Sequence, residues 1–131
     1  MVAKDQHPAC PSMRGLPNGA LVQVASYFRA LSEPTRLKIL NLLRQEERNV
    51  GELAQLCGYT SANISRHLAL LTQHGLVARQ SRGNSAYYRI VDSSVYELCD
   101  LVCGNIVRQF ERAARDRAAF VAPAGRRGRA R

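Results

Sequence analysis

The 131-residue chain is short of acidic side chains, of aromatic residues and of long apolar runs. Ten Asp and Glu stand against nineteen Lys and Arg, which leaves a formal net charge of +9. Such an imbalance favours a polyanionic partner, nucleic acid first, because neutralising phosphates releases their counterions. Four arginines crowd into Arg126–Arg131, yet without them the balance is still about +5, so the foldable part is itself basic. Nothing approaches the roughly 20 apolar residues of a membrane-spanning helix, and Met1–Gly19 holds no apolar run of the signal-peptide kind. A cytoplasmic location without membrane contact is therefore expected. Also missing are a Gly-rich phosphate loop, a His-Glu-x-x-His and a nucleophile elbow, so an enzyme is not expected. Cys57 and His67 make a nominal thiol–base pair, but a cysteine on the apolar stripe of a small helix is poorly placed for catalysis. The aromatics are Phe28, Phe110, Phe120 and five tyrosines, without the interleaving that builds an RNA-stacking platform. An RNA-binding protein is therefore the less favoured reading of the charge.

What is present fits one small domain. Apolar residues make up 46% of the chain, which allows a core, though a thin one for an isolated monomer. Residues 1–19, with three prolines and two glycines, read as a flexible arm. Residues 20–120 read as the folded domain, and 121–131 as a disordered Arg-rich tail. Asn18 or Gly19 opens a first helix running to about Leu31, with Leu21, Val24, Ala25, Phe28 and Leu31 as its apolar stripe. Ser32 is the expected cap of a second helix, with Pro34 in its first turn and Leu37, Leu40 and Leu43 inward beside Ile39.

The organising stretch is Val50–Leu76. Leu53, Leu56 and Cys57 share one face of a short helix, and Gly58-Tyr59 breaks the pattern. Thr60 or Ser61 can cap the following helix, whose buried stripe is Ile64, Leu68 and Leu71. Ala62, Asn63, Ser65 and Arg66 are left outward. An ordinary αα-hairpin has the same periodicity. A helix-turn-helix would place this second helix in the major groove, N-terminal residues at the base edges. The next segment favours the latter: Leu76–Gln80, a Ser81-Arg82-Gly83-Asn84 turn and Ser85–Val91 read as a hairpin with a basic tip, a wing. Asp92 or Ser93 then caps a long last helix. Its apolar face of Val95, Leu98, Cys99, Val102, Cys103, Ile106 and Phe110 calls for the same helix of a second protomer.

Ser32-Glu33-Pro34-Thr35-Arg36-Leu37, Ile64-Ser65-Arg66-His67-Leu68, Gly75-Leu76-Val77 and Tyr87-Tyr88-Arg89 resemble, in this order, the winged-helix repressors of the ArsR/SmtB family. The resemblance covers roughly Ala20–Phe120. It implies a mainly α winged helix-turn-helix with a β-hairpin wing, dimerised through its first and last helices on palindromic operator DNA. Candidate DNA contacts are Ser61, Asn63, Ser65 and Arg66 near base edges, since Asn can pair with adenine and Arg with guanine. Arg79, Arg82 and Arg89 are candidates for phosphates, with Arg82 the best placed for a minor groove. His67 is either a DNA contact or the donor or acceptor of a helix-fixing hydrogen bond.

A repressor needs an input, and cysteines are the only obvious sensor chemistry. Cys99 and Cys103, at i and i+4 of the last helix, point the same way and can chelate a soft ion. Cys10 in the arm could add a third thiolate, the number a trivalent arsenic or antimony ion prefers. Equally, Cys99 and Cys103 can pack as small hydrophobes, and Cys57 reads as core. Relative to the family, the Cys-x-Cys that some members carry before the helix-turn-helix is here Asn49-Val50-Gly51. The zinc ligands of others appear as Asp92, Ser94, Asn105 and Arg108, and the recognition-helix cysteines of a cadmium/lead group are absent. What remains resembles the arsenite- and antimonite-responsive members with cysteines on the last helix. The alternative is a redox or persulfide sensor using the same thiols, although a direct Cys99–Cys103 disulfide is strained in an intact helix.

Overall fold

A computed structural model describes residues 13–122. The chain divides at Asp92/Ser93 into two compact units. In the first, a short 3-10 turn at Met13–Gly15 precedes α1 (Asn18–Leu31), α2 (Pro34–Leu43), β1 (Arg48–Asn49), α3 (Val50–Cys57), α4 (Ser61–Gln73), β2 (Val77–Arg82) and β3 (Ser85–Ile90). The second is carried by the single helix α5 (Ser94–Val121).

Within the first unit α2 is the hub, packing on α1, α3, α4 and β3. Its buried residues are Thr35, Ile39, Leu40 and Leu43. Leu37, expected inside, is instead 42% exposed. It lies roughly 200° round the helix from both Thr35 and Ile39, so once those two face the core Leu37 cannot. In α3 the buried pair is Leu53 and Ala54, and Leu56, roughly 200° round the helix from Ala54, is turned outward. The stripe of α4 is as the spacing requires, with Ile64, Leu68 and Leu71 all at 0% exposure. Leu76 and Val77, both buried, continue this core into the sheet. Each fully buried Leu or Ile contributes about 1.5–3 kcal/mol.

The cap of α2 is Glu33 rather than Ser32: a Glu33 carboxylate oxygen accepts from the Arg36 N–H at 3.1 Å. The Ser32 hydroxyl faces the other way and donates to the Arg29 carbonyl at the end of α1, at 2.8 Å. The expected two-stranded wing is a three-stranded antiparallel sheet ordered β1-β3-β2, because Arg48 and Asn49 pair with Tyr88 and Tyr87. The turn of the hairpin is tighter than expected, since Ser81 and Arg82 belong to β2 and Val77–Arg82 pairs with Ser85–Ile90 around two residues, Gly83 and Asn84. Gly83 sits there at φ +62 and Asn84 has no positive φ, the pattern of a type II′ turn, which matches the twist of the strands.

In α5, Ser93 holds the N-cap position without a side-chain capping bond. Val95 is buried, Leu98 and Cys99 are partly exposed, and Val102, Ile106 and Phe110 are exposed.

Candidate nucleic-acid interface

The turn between α3 and α4 is held by local hydrogen bonds. Asn49 Oδ1 accepts from the Glu52 N–H at 2.8 Å while the Glu52 carboxylate accepts from the Asn49 N–H at 3.0 Å. This reciprocal pair starts α3. The helix stops at Gly58, whose φ of +76 is costly for any residue with a Cβ. The Gly58 and Tyr59 N–H groups both donate to the Ala54 carbonyl, at 2.9 and 3.0 Å. Thr60 then caps α4, its hydroxyl accepting from the Asn63 N–H at 3.1 Å.

With its stripe buried, α4 presents Ser61, Ala62, Ser65, Arg66 and Ala69 to solvent. Ser61, Ser65 and Arg66 therefore lie together on one outward face, as the spacing predicts. Asn63 does not fully join them. It is half-buried, and its Oδ1 is enclosed without a hydrogen-bond partner among the described residues. Two-atom pairing with adenine requires both amide atoms outside, so it needs this side chain to turn out.

Two histidines secure α4 from behind. His67 Nδ1 lies 3.2 Å from an Arg36 Nη. His74, at the far end, places Nδ1 3.0 Å from the Leu70 carbonyl and Nε2 2.9 Å from the Ser26 hydroxyl of α1. A carbonyl only accepts, so the neutral His74 ring donates from Nδ1 and accepts from Ser26 at Nε2.

The register of the wing separates its arginines. Ala78, Gln80, Arg82, Ser85, Tyr87 and Arg89 form one face, and Arg79 lies on the other with Tyr88. Arg82 and Arg89 thus share a face, one at the tip and one towards the base of the hairpin, while Arg79 points elsewhere. Arg82 closes β2 beside the Gly83-Asn84 tip. Its guanidinium stacks 4.9 Å from the Tyr87 ring centroid and is ion-paired with Glu47. Sequence reasoning missed Glu47 and Tyr87 as its partners. Between Glu52 and Asp92 there is no acidic residue, so α4 and the hairpin carry only positive fixed charge, from Arg66, Arg79, Arg82 and Arg89.

Cys99 and Cys103 stand one turn apart on α5, Cys99 partly exposed and Cys103 exposed. Cys10 lies outside the described residues. Cys57, at the end of α3, is only partly buried; desolvation pushes its thiol pKa up, with Lys38 opposing. Among the described residues no group of three or more His, Cys, Asp or Glu is arranged to hold a metal ion. Any such site uses fewer ligands from this region or draws on others.

Residues 33–79 match the family model for bacterial regulatory proteins of the arsR family. The HTH-type transcriptional regulator Rv0081 of Mycobacterium tuberculosis is 39% identical over 75 residues, 56% of this chain and 66% of that protein. Its crystal structure superposes with a TM-score of 0.67 at 32% identity, covering 76% of this chain and 99% of the solved one. The homodimeric winged helix-turn-helix DNA-binding domain of Mb0332 from Mycobacterium bovis gives a TM-score of 0.66 at 35% identity, covering 80% and 95%. A probable mercury resistance operon repressor of Streptomyces lividans is 35% identical over 74 residues, 56% of this chain and 59% of that protein. The chain spans about two thirds or less of these two curated relatives. No helix among the described residues is long and apolar enough to cross a membrane.

Proposed function

Since the chain belongs to the arsR family of bacterial regulatory proteins, which are transcriptional regulators and not enzymes, we propose that it is a homodimeric repressor that leaves its operator when a trivalent arsenic or antimony ion binds its thiolates. The DNA-binding part is supported by the outward face of α4 and the acid-free stretch that carries it. Dimerisation is supported by the apolar face of α5: Val102, Ile106 and Phe110 are 49%, 43% and 72% exposed in the single chain, a cost a second copy would remove.

The observation that carries the inducer reading is the pair of thiols on that same helix. Cys99 and Cys103 form a soft, two-sulfur donor set suited to a thiophilic ion, with Cys10 as candidate third ligand. The relative named for a mercury resistance operon, mercury being another thiophilic metal, points the same way. An ion that favours a DNA-weak arrangement of the dimer lowers operator affinity by the same factor that DNA lowers ion affinity. Titrating the reduced protein with arsenite and with antimonite, and following sulfur-to-metalloid absorbance in the ultraviolet, tests the site. The expected result is a saturable signal that Cys99→Ser and Cys103→Ser each abolish or halve. An unchanged signal in both variants contradicts the ligand assignment, and thiol modification by mild oxidant or polysulfide with no ion binding would assign the cysteines to redox sensing.

A further inference from the structure

Arg36 sits in the first turn of α2 and reaches two other helices. Its Nε donates to the Ala30 carbonyl at 2.6 Å and one Nη to the Arg29 carbonyl at 3.1 Å, both at the C-terminal end of α1. Its other Nη faces His67 Nδ1 on α4 at 3.2 Å. A guanidinium only donates, so Nδ1 accepts and the proton of neutral His67 is on Nε2. Glu33 completes the cluster. Desolvation raises its pKa, but the N–H groups of Arg36 and Thr35 and the nearby Arg36 charge bring the carboxyl below its ordinary value.

We infer that Arg36 is a positioning residue for DNA binding: anchored on the last carbonyls of α1, it sets through His67 the angle at which α4 presents Ser61, Ser65 and Arg66. The planar fork of the guanidinium serves three acceptors in fixed directions, and an ammonium cannot span the same three. His67 is one residue from the outward Arg66, so tilt at His67 is tilt of the reading face. On this account His67 acts from behind the helix rather than on a base. The inference rests on the DNA-binding reading above.

The test uses the full chain, the tightest duplex that wild-type protein selects from a random pool, and a scrambled duplex of equal length. Affinities are measured over a salt series for wild type, His67→Ala, His67→Asn and Arg36→Lys, with thermal unfolding to check the fold. His67→Ala and Arg36→Lys should weaken selected-duplex binding roughly tenfold, the worth of one charge-assisted hydrogen bond. Scrambled-duplex binding and the salt slope should stay at wild-type values, because no phosphate contact is lost. His67→Asn should restore most of the affinity, since its Oδ1 can accept where Nδ1 did. Wild-type affinity in both His67→Ala and Arg36→Lys overturns the inference. So does a salt slope lowered by about one in His67→Ala with no rescue by Asn, which would make His67 a DNA contact. If His67→Ala does not fold, Arg36→Lys against His67→Asn decides: equal affinities overturn it. Wild-type protein that cannot tell the two duplexes apart overturns instead the DNA-binding reading.

Discussion

The two units of the chain solve the folding problem differently. In residues 13–92 the inner faces of α2, α3 and α4 are buried, with Ile39, Leu53, Ile64, Leu68 and Leu71 inaccessible, and each of these three helices has a side-chain cap, whereas α1 buries only Ala30 and Leu31 and leaves Val22 and Phe28 exposed. In α5, of 28 residues, only Val95 is buried, and most of the apolar face is open. A buried side chain of α2, α3 or α4 is therefore a matter of stability, whereas one on the open face of α5 is a matter of what the helix meets. The comparison also separates two tasks. The candidate DNA-contact residues stand on helices and strands with a buried core of their own, while the candidate sensor thiols stand on the open face of α5, where a small change in association can be felt.

That contrast is open to direct challenge. Leu68→Ala, in the stripe of α4, should cost about 2–5 kcal/mol in urea unfolding. Ile106→Ala on α5 should cost far less at low protein concentration. Equal losses would erase the distinction between the units. Ile106→Glu should convert the dimer to a monomer in analytical ultracentrifugation, and thermal unfolding should lose its dependence on protein concentration. An unchanged dimer would place the interface elsewhere.

Smaller effects sharpen the picture within the first unit. Asn49→Ala removes half of the capping box of α3 and should cost about 1 kcal/mol. Arg66→Ala should weaken DNA binding and, if the side chain reaches a phosphate, lower the salt slope by about one; base readout would leave the slope and relax the selected sequence. The smallest effect is at Glu33. Its folded-state pKa is lowered, so the charge contributes stability above the unfolded-state pKa, and this is lost as pH falls through the folded value. Glu33→Gln keeps a capping oxygen and removes the charge. It should melt slightly below wild type at neutral pH, with the gap closing in acid; a gap that widens in acid would refute the sign.

Much of this was legible along the chain because it is local. The Ile64, Leu68 and Leu71 stripe and the Thr60 cap follow from neighbours three or four residues apart, and the hairpin from two runs on either side of a tight turn. The Asn49–Glu52 capping box has a readable signature too, an Asn followed three residues later by Glu. Ser32 misled because a serine before Glu33-Pro34 is as good a cap by composition, and only the path of the backbone decides. Other features depend on residues far apart in sequence. Strand β1 is two residues that become a strand only by meeting Tyr87 and Tyr88. Arg82 meets Glu47, and Arg36 meets His67, across gaps of 35 and 31 residues with no periodic trace.

The most direct measurement is a gel shift on the DNA upstream of this protein's own gene, under reducing conditions, titrated with arsenite, antimonite, zinc and cadmium. The expected result is a shifted complex released by the trivalent metalloids alone, and a Cys103→Ser variant that binds DNA normally but is not released. Release by zinc or cadmium, or release by metalloids that survives Cys103→Ser, would contradict it.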